Sequence, residues 1–398
     1  MCVCLLYVLT AIGLQLLSCQ NTFALDAICE KVQHNRAECE VHHVETVDGY
    51  QLTMQRIPPP RNYSCPSQLP FLLMHGLIGS AGDFVAAGRA GALAFQLHAR
   101  CFDVWLPNAR GTTQSRRHRT LSASQAKFWH FSWHEIGVYD LPALVEHVLR
   151  VTGHQRLHYV GHSQGTTVLL VLLSQQPAFN ARFASVALLA PIAYLQHLSS
   201  PPLRLLASDT GVVTELLNQL GLHELLPSTT LTQAGGQLLC SAALPTSVLC
   251  TLLTSLYVGF SEYPLDRSIL PRILETTPAG ISRGQLLHFG QLINSGKFQQ
   301  FDYRSARLNS KHYGQPTPPA YQLQNVRLNL MLFHGNRDAL STRKDVLRLV
   351  RELKNSRIKL YQVQGYNHID FLYATTAPHI IYERIIEQAT EYSQLNHK

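Results

Sequence analysis

One pentapeptide constrains this chain more than any other feature, namely Gly161-His162-Ser163-Gln164-Gly165. It directly follows an apolar run, Leu157–Val160, which is typical of a buried strand, and it precedes a helical pattern that starts at Thr166. Glycines on both sides of one serine are needed where a strand turns sharply into a helix, because such a turn leaves little room for side chains. We therefore predict that Ser163 is a nucleophile lifted clear of a sheet. The alternative is an ordinary glycine-rich turn with an inert serine.

Apolar runs that alternate with helical patterns predict the fold class. Continuous apolar strands are typical of a parallel sheet covered by helices on both faces, so we expect an α/β fold with a mostly parallel central sheet. A hairpin around Asp48-Gly49, with strands His43–Val47 and Tyr50–Ile57, is expected in the chain before the strands of the parallel sheet. The remaining predicted strands are Leu69–Met74, Phe102–Leu106, Leu157–Val160, Ser185–Leu189, Leu328–Phe333 and Lys359–Val363, and the clearest predicted helices are Leu141–Val151 and Thr166–Ser174.

The alternating pattern lapses between about Pro191 and Ser310 and then resumes. This segment is rich in Leu, Thr and Pro and contains the helical stretches Val212–Leu220 and Val248–Tyr257. Because strand-like runs return after it, the segment is predicted to be a cap inserted into one core, not a separate C-terminal domain. The predicted division is therefore a leader at 1–24, a core formed by 25–190 and 311–398, and a cap at 191–310.

The N-terminus resembles a secretory signal. Residues 3–17 form an apolar run that is shorter than the roughly 20 residues a membrane span needs. Thr22-Phe23-Ala24 offers a cleavage site. A retained N-terminal anchor is the alternative, because no Lys or Arg precedes the apolar run. Entry into the secretory pathway is the expectation.

The cysteines fit an oxidising compartment. Of the nine, three would leave with the leader, and an even number in a secreted chain is compatible with disulfides, although six cysteines allow about 15 pairings. Local spacing favours Cys240–Cys250 and, more weakly, Cys29–Cys39. The six cysteines that remain are Cys29, Cys39, Cys65, Cys101, Cys240 and Cys250.

Composition and motifs exclude several classes of protein. Hydrophobic residues make up 46% of the chain and charged residues 15%, which excludes an intrinsically disordered protein. The net charge is +8, yet no run of five Lys or Arg supports nucleic-acid binding. No CxxC or HExxH motif indicates a metal site, and nothing indicates a required protein partner. Asn62-Tyr63-Ser64 is predicted to be a glycosylation site on a surface loop.

A serine nucleophile needs a base, and the base needs an orienting acid that lies between serine and histidine in the chain. Asp338 follows the predicted strand Leu328–Phe333, at the carboxyl end where catalytic groups gather in open α/β sheets. His368 follows the next strand in a loop before the terminal helix. We therefore predict Asp338 as the acid and His368 as the base. Asp370 is the rival acid, but two residues from His368 it is poorly placed to reach the imidazole.

Acyl transfer also requires donors for a tetrahedral oxyanion. The backbone N–H of Gln164, which follows the serine, is one predicted donor. The second is the Leu77 N–H in His75-Gly76-Leu77, the loop after an early strand. The alternative for this loop is an ordinary strand-end turn.

These stretches together resemble the animal acid lipases of the α/β-hydrolase superfamily, the group of gastric, lysosomal and insect midgut lipases. The resemblance runs nearly the length of the mature chain. It is carried by His75-Gly76-Leu77-Ile78-Gly79-Ser80, Asp103-Val104-Trp105-Leu106, Asn108-Ala109-Arg110-Gly111, Phe131-Ser132-Trp133-His134-Glu135-Ile136-Gly137, Tyr139-Asp140-Leu141-Pro142, residues 158–167, Pro278-Ala279-Gly280, Phe301-Asp302-Tyr303 and Asn367-His368-Ile369-Asp370-Phe371.

The resemblance implies an α/β-hydrolase fold with a mainly helical cap, hydrolysis of neutral lipid esters such as triacylglycerols or cholesteryl esters, and no cofactor. It also implies that the protein is either secreted, for example into the gut lumen, or delivered to the lysosome. Ser163, Asp338 and His368 would form the triad, with Leu77 and Gln164 as oxyanion donors. Mammalian members carry a cap disulfide in the region of Cys240 and Cys250, which adds support for that pair.

The chain departs from the family pattern at a few positions, none of which is expected to touch the triad. They bear on substrate preference and pH optimum rather than on the reaction. Two alternatives stay open: a short-chain carboxylesterase of the same fold, and a catalytically inactive lipid-binding protein. The departures are Pro107 for Gly, Thr112-Thr113-Gln114 for an Asn-x-aromatic stretch, His130 for Asp and Ser341-Thr342 for Ala-Asp.

The stretch Leu225–Ser261 contains no Asp, Glu, Lys or Arg. One interpretation is an apolar cap surface that contacts a lipid surface or an acyl chain. The other is ordinary core between packed helices. The residues alone do not favour either.

Overall fold

The computed structural model describes residues 26–61, 65–263 and 265–396. The predicted leader at 1–24 and the predicted glycosylation site Asn62 lie outside the described residues. Within the described ranges, no helix is long and apolar enough to cross a membrane. The same ranges contain no group of three or more His, Cys, Asp or Glu arranged to hold a metal ion.

A large mixed sheet forms the centre of the described part of the chain. Its strands follow the order β1-β2-β4-β3-β6-β7-β10-β11, β5 pairs with β2, and β8 and β9 form a separate small sheet. The pairs β1–β2 and β2–β4 are antiparallel, and all neighbours from β4 to β11 are parallel. The strands are β1 (Glu40–Glu45), β2 (Tyr50–Ile57), β3 (Phe71–Met74), β4 (Val104–Pro107), β5 (Arg117–His118), β6 (Leu157–His162), β7 (Phe183–Leu189), β8 (Glu224–Leu225), β9 (Ile281–Ser282), β10 (Asn329–Gly335) and β11 (Arg357–Val363).

The mostly parallel sheet with helices around it confirms the predicted α/β fold class. The central strands β3, β6 and β7 are buried at every position, as their continuous apolar sequences predict. Each predicted strand is present with ends shifted by a few residues. The largest shift is in the first hairpin, where β1 begins at Glu40, three residues before its predicted start. It ends at Glu45 because Thr46 to Gly49 form the turn, closed by a 2.9 Å hydrogen bond from Gly49 N–H to the Thr46 carbonyl.

Helices cover both faces of the sheet. Alternate residues of β10 show this, because Leu330 and Leu332 belong to one apolar cluster and Met331 and Phe333 to the other. The helices are α1 (Ala27–His34), α2 (Gly88–Gly91), α3 (Leu93–His98), α4 (Trp133–Glu135), α5 (Leu141–Thr152), α6 (Gln164–Gln175), α7 (Pro201–Ser208), α8 (Thr210–Gln219), α9 (Thr230–Leu239), α10 (Thr246–Val258), α11 (Leu270–Leu274), α12 (Arg283–Ser295), α13 (Ala306–Tyr313), α14 (Arg343–Glu352), α15 (Asp370–Tyr373) and α16 (Glu383–Asn396).

Residues 191–310, called the insert below, hold the helices between β7 and β10. The predicted cap boundary at 310 falls inside α13. Large apolar side chains of the charge-free stretch Leu225–Ser261 are exposed, so at these positions the interpretation as packed core is wrong. They are Leu226, Leu238, Leu239, Leu244, Val248, Leu249, Leu252, Leu253, Leu256, Tyr257 and Phe260.

The six cysteines left after the predicted leader form three disulfides. Cys29–Cys39 and Cys240–Cys250, the two pairs favoured by spacing, are both present. The third joins Cys65 to Cys101. This third pair links the chain after β2 to the turn after α3 and was one of the pairings that the sequence left open.

Candidate active site

The serine of the pentapeptide lies in a sharp turn between β6 and α6. Ser163 has φ +52° and ψ −117°, a conformation that residues with a side chain rarely adopt. Close contacts require the flanking glycines, because a Cβ on Gly161 would lie 2.8 Å from the backbone of Gly165 and one on Gly165 would lie 2.3 Å from the Met74 carbonyl oxygen. The helix begins at Gln164, two residues before its predicted start, since the turn passes directly into it.

The structure brings the three predicted triad side chains together. Ser163 Oγ lies 2.8 Å from His368 Nε2, and His368 Nδ1 lies 2.9 and 3.1 Å from the two carboxylate oxygens of Asp338. Because the carboxylate accepts the Nδ1–H, the lone pair of Nε2 faces the serine hydroxyl. Two backbone N–H groups, of Leu340 and Ser341, each donate to Asp338 Oδ1 at 2.8 Å and fix its orientation.

The rival acid, Asp370, has different partners. Its carboxylate accepts the backbone N–H of Asn367 at 2.7 Å, in the turn that leads into α15. The imidazole of His368 is hydrogen-bonded to Asp338 instead. Asp370 therefore stabilises the loop that carries His368 and does not orient the ring.

The positions of these side chains follow from the sheet. Ser163, Asp338 and His368 come directly or shortly after the carboxyl ends of β6, β10 and β11, which are parallel. In a parallel sheet these ends share one edge, so residues more than 170 positions apart meet there.

The two predicted oxyanion donors flank the serine. Gln164 is the first residue of α6, so its N–H has no partner within the helix. A Cβ on Gly76 would lie 3.3 Å from Ser163 Cβ, which shows how closely the loop bearing Leu77 approaches the serine. Among the described residues, neither the Leu77 N–H nor the Gln164 N–H has a hydrogen-bond acceptor. Two unpaired backbone donors beside a nucleophile are what an oxyanion needs.

Two buried histidines hold the loops around the serine. His162 Nε2 lies 2.8 Å from the His368 carbonyl oxygen, and burial lowers the pKa of His162 to about 3. His75 Nε2 accepts the Ala109 N–H at 3.1 Å, while its Nδ1 faces the Gly76 carbonyl at 2.7 Å; burial lowers the pKa of His75 to about 4. The contacts of His162 with His368 and of His75 with Ala109 join distant segments and follow no local pattern, so they are not predictable from the sequence.

One departure from the family pattern does touch the triad, contrary to expectation. The backbone N–H of Ser341 donates to Asp338, and its hydroxyl donates to the Pro191 carbonyl at 2.7 Å. The contact with Asp338 comes from the main chain, which other residue types also supply.

A cavity opens beside Ser163. Among the described residues that line it, only Ser163 and Thr210 have polar side chains. The other lining residues are Leu77, Ile192, Leu195, Leu198, Leu203, Leu206, Ala207, Val213, Leu286, Leu287, Phe289, Gly290, Ile293 and Leu340, and most of them belong to the insert. The cavity suits the apolar part of a ligand whose reacting carbon reaches the serine.

Comparison with known proteins identifies the family. A family model of the alpha/beta hydrolase fold matches residues 70–375, and a model described as a partial alpha/beta-hydrolase lipase region matches residues 28–88. Among solved structures, a monoglyceride lipase variant from Saccharomyces cerevisiae superimposes with a TM-score of 0.55 over 89% of this chain and 95% of that chain, at 14% identity. That likeness concerns the fold alone.

Curated relatives match along most of the chain. Lipase 3 of Drosophila melanogaster is 38% identical, covering 91% of this chain and 92% of the relative. Gastric triacylglycerol lipase of Rattus norvegicus is 35% identical, covering 89% of each chain. Lysosomal acid lipase/cholesteryl ester hydrolase of Homo sapiens is 35% identical, covering 89% and 88%. With its α/β-hydrolase fold, the chain therefore belongs to the animal acid lipase family, a family of lipid ester hydrolases.

Proposed function

We propose that this protein is a serine lipase that cleaves the carboxylic ester bonds of neutral lipids through an acyl-enzyme intermediate. The observation that carries the proposal is the hydrogen-bond chain from Ser163 through His368 to Asp338, which starts at a serine that lines an apolar cavity. Triacylglycerols and cholesteryl esters are the proposed substrates, because relatives with those substrates in their names are 35% identical to this chain.

In the acylation step, His368 Nε2 removes the proton from Ser163 Oγ as that oxygen attacks the ester carbonyl carbon. Asp338 holds the ring in the required tautomer and stabilises the imidazolium that forms. The imidazolium then protonates the departing alcohol oxygen, and the ester bond between carbonyl carbon and alcohol oxygen breaks. A water molecule activated by the same histidine attacks the acyl-enzyme, releases the fatty acid and restores the serine.

The backbone N–H groups of Leu77 and Gln164 stabilise the negative oxygen of both tetrahedral intermediates. Backbone donors suit this task because they are fixed before the reaction and need no reorganisation as charge develops. The strained conformation of Ser163 belongs to the same arrangement, since it places the hydroxyl above the turn that supplies the Gln164 N–H.

The insert acts as a cap that contacts lipid. Its helices supply most of the cavity lining, which suits a fatty acyl chain. Its outer surface carries exposed apolar side chains from residue 226 to residue 260, among them Leu238, Val248, Leu249 and Phe260. A concentration of exposed apolar side chains in one segment is typical of a face that meets a membrane, a lipid droplet or a protein.

The proposed destination is the secretory pathway, ending outside the cell or in the lysosome. Three disulfides support an oxidising compartment. Gastric and lysosomal lipases stand among the relatives.

The test is hydrolysis of emulsified long-chain triacylglycerol and cholesteryl ester between about pH 3 and pH 9, with Ser163→Ala as control. We expect fatty acid release by the native chain and none above background by the variant. Equal rates for the two would contradict the mechanism, and a maximum above about pH 8 would contradict an acid-lipase function. Comparison with a soluble short-chain ester separates a lipase from a carboxylesterase, because only a lipase gains rate when substrate forms an interface.

A further inference from the structure

The insert is hydrogen-bonded directly to the loops that carry Asp338 and His368. The carbonyl of Val258, the last residue of α10, accepts the backbone N–H of Ala339 at 3.2 Å and that of His368 at 3.3 Å. Ala339 is the neighbour of the acid, so one helix-terminal carbonyl bridges the acid loop and the base loop. On its other side, the Ala339 carbonyl accepts the N–H of Ser199 at 2.7 Å, near the start of the insert.

The next residue makes a second bridge. Gly259 is buried, and its carbonyl accepts the side-chain Nδ2–H of Asn367 at 2.9 Å. Asn367 Oδ1 accepts the N–H groups of Ile369 and Asp370 at 3.0 and 3.1 Å, which fixes which end of the amide is the donor. The Asn367 side chain therefore ties the His368 loop to the insert while it shapes the turn after that histidine.

The close approach of Gly259 requires a glycine. A Cβ at this position would lie 2.0 Å from the Arg337 carbonyl oxygen, and the backbone has φ +104°. The end of α10 is thus packed against the main chain of the acid loop, with no side chain between them.

We propose that Val258, Gly259 and Asn367 form a clasp through which the insert aligns His368 with Asp338, and that Asn367 is a positioning residue for the proposed hydrolysis. This inference rests on the proposed function. It makes the insert part of the catalytic centre as well as its cover. Because α10 also carries the exposed side chains of Leu249, Leu252 and Leu253, a displacement of that helix at a lipid surface reaches the triad through the clasp.

The experiment replaces Asn367 in the full-length protein. Asn367→Asp keeps an acceptor for Ile369 and Asp370 but, when ionised, lacks the donor for Gly259. On a soluble short-chain ester at neutral pH we expect kcat to fall about tenfold or more, with KM changed less than about twofold, because a small displacement of a catalytic group lowers the rate without weakening substrate binding. As the pH falls, the introduced carboxyl becomes protonated beside Asp338 and Asp370 and can donate again, so the kcat ratio of variant to native chain should rise.

Asn336→Asp is the matched control. Asn336 lies on the exposed part of the acid loop and accepts the Gly365 N–H at 2.6 Å through Oδ1, a contact that the carboxylate retains. The Asn336→Asp substitution adds the same charge nearby without removing a hydrogen bond to the insert. The kcat of this variant should therefore stay within about twofold of the native value.

A second pair of variants tests the clasp from the insert side. Gly259→Ala pushes the junction away from the acid loop and should lower kcat as Asn367→Asp does. Gly235→Ala, in α9, is its control, since a Cβ there would meet nothing within 4 Å. Thermal unfolding and the rate of labelling by a serine-reactive fluorophosphonate are measured for all four variants, so that loss of fold is separated from loss of alignment.

The outcomes are distinguishable. If the native chain hydrolyses no ester, or Ser163→Ala loses nothing, the proposed function fails. If hydrolysis requires Ser163 but Asn367→Asp and Gly259→Ala keep native kcat and labelling rates, the clasp is wrong and the proposed function stands. The clasp is also overturned if the control variants show the same fall in kcat. It is overturned as well if the fall in Asn367→Asp is unaffected by acid while the midpoint of thermal unfolding drops.

Discussion

The guanidinium of Arg110 donates from Nε to the carboxylate of Asp140 over 2.7 Å, and the two side chains are 1% and 0% exposed. The Arg110 backbone N–H donates to the same carboxylate at 2.9 Å, and its terminal nitrogens bind Asp48 at 2.6 and 2.9 Å. Through Asp140 and Asp48, Arg110 joins the loop after β4 to the start of α5 and to the first hairpin turn. These contacts therefore hold together three segments that are far apart in the chain.

Removal of Asp140 should be costly, because the buried guanidinium then keeps Asp48 alone as its counter-ion and the Arg110 backbone N–H loses its acceptor. Asp140→Ala is expected to lower the free energy of unfolding by about 3–5 kcal/mol, measured by urea denaturation. Arg182→Ala, which breaks an exposed pair with Glu146, should cost no more than about 1 kcal/mol. Equal effects for the two variants would show that burial of the Arg110 pair contributes nothing.

Amide substitutions of Asp338 and Asp370 test which of the two carboxylates acts as the triad acid. Asp338→Asn should lower kcat by about 10⁴, the scale seen when a triad acid loses its charge and the imidazole takes the wrong tautomer. Asp370→Asn should lower kcat less than about tenfold, because its carboxylate contacts the Asn367 N–H and not the imidazole. Steady-state rates on a soluble ester decide the matter, and the opposite order would make Asp370 the triad acid.

The cavity beside Ser163 should determine acyl chain length. Leu286→Trp places a larger side chain in the cavity lining, so we expect the preference for long over short acyl esters to fall about tenfold, as a few methylene groups lose their apolar contacts. The measurement is kcat/KM for esters of increasing chain length. Leu360→Trp, on the edge strand β11, should leave the preference unchanged; an unchanged profile in Leu286→Trp would mean that the acyl chain lies elsewhere.

Asp83 gives a pH dependence to stability. It lies in a turn that follows the Leu77 loop, is buried, and accepts hydroxyl hydrogen bonds from Thr277 at 2.8 Å and Tyr373 at 3.2 Å. Burial raises the pKa of Asp83 to about 6. Between about pH 4 and pH 6 the unfolded chain has lost this proton and the folded chain keeps it, so folding stability falls as the pH rises through that window.

Asp83→Asn removes this proton equilibrium. The stability of the native chain relative to the variant should therefore fall by about 2 kcal/mol from pH 4 to pH 6 and become level above about pH 7. Urea unfolding of both proteins across this range measures the difference, in which the other titrating groups cancel. A difference that stays constant with pH would contradict the raised pKa.

Much of the fold and the candidate site was predictable because local pattern encodes it. The glycines around Ser163 are there because neighbouring backbone leaves no space for a Cβ. The apolar runs of β6, β10 and β11 mark buried parallel strands, and such strands bring Ser163, Asp338 and His368 to one edge. The exposure of α10 was not predictable, because an uncharged leucine-rich helix has the same sequence pattern in a core as on a lipid-facing surface.

The sequence by itself thus determined the fold class, the serine turn and the predicted order of nucleophile, acid and base, since each is indicated by a motif or an apolar run that is local in the chain. Tertiary structure alone decided which carboxylate faces His368, that Cys65 pairs with Cys101, and that Arg110 binds both Asp140 and Asp48. It also decided that the Val258 carbonyl joins the loops of Asp338 and His368. The physical reason is common to all four: each contact joins segments far apart in sequence, and its partners are selected by packing and not by any local periodicity.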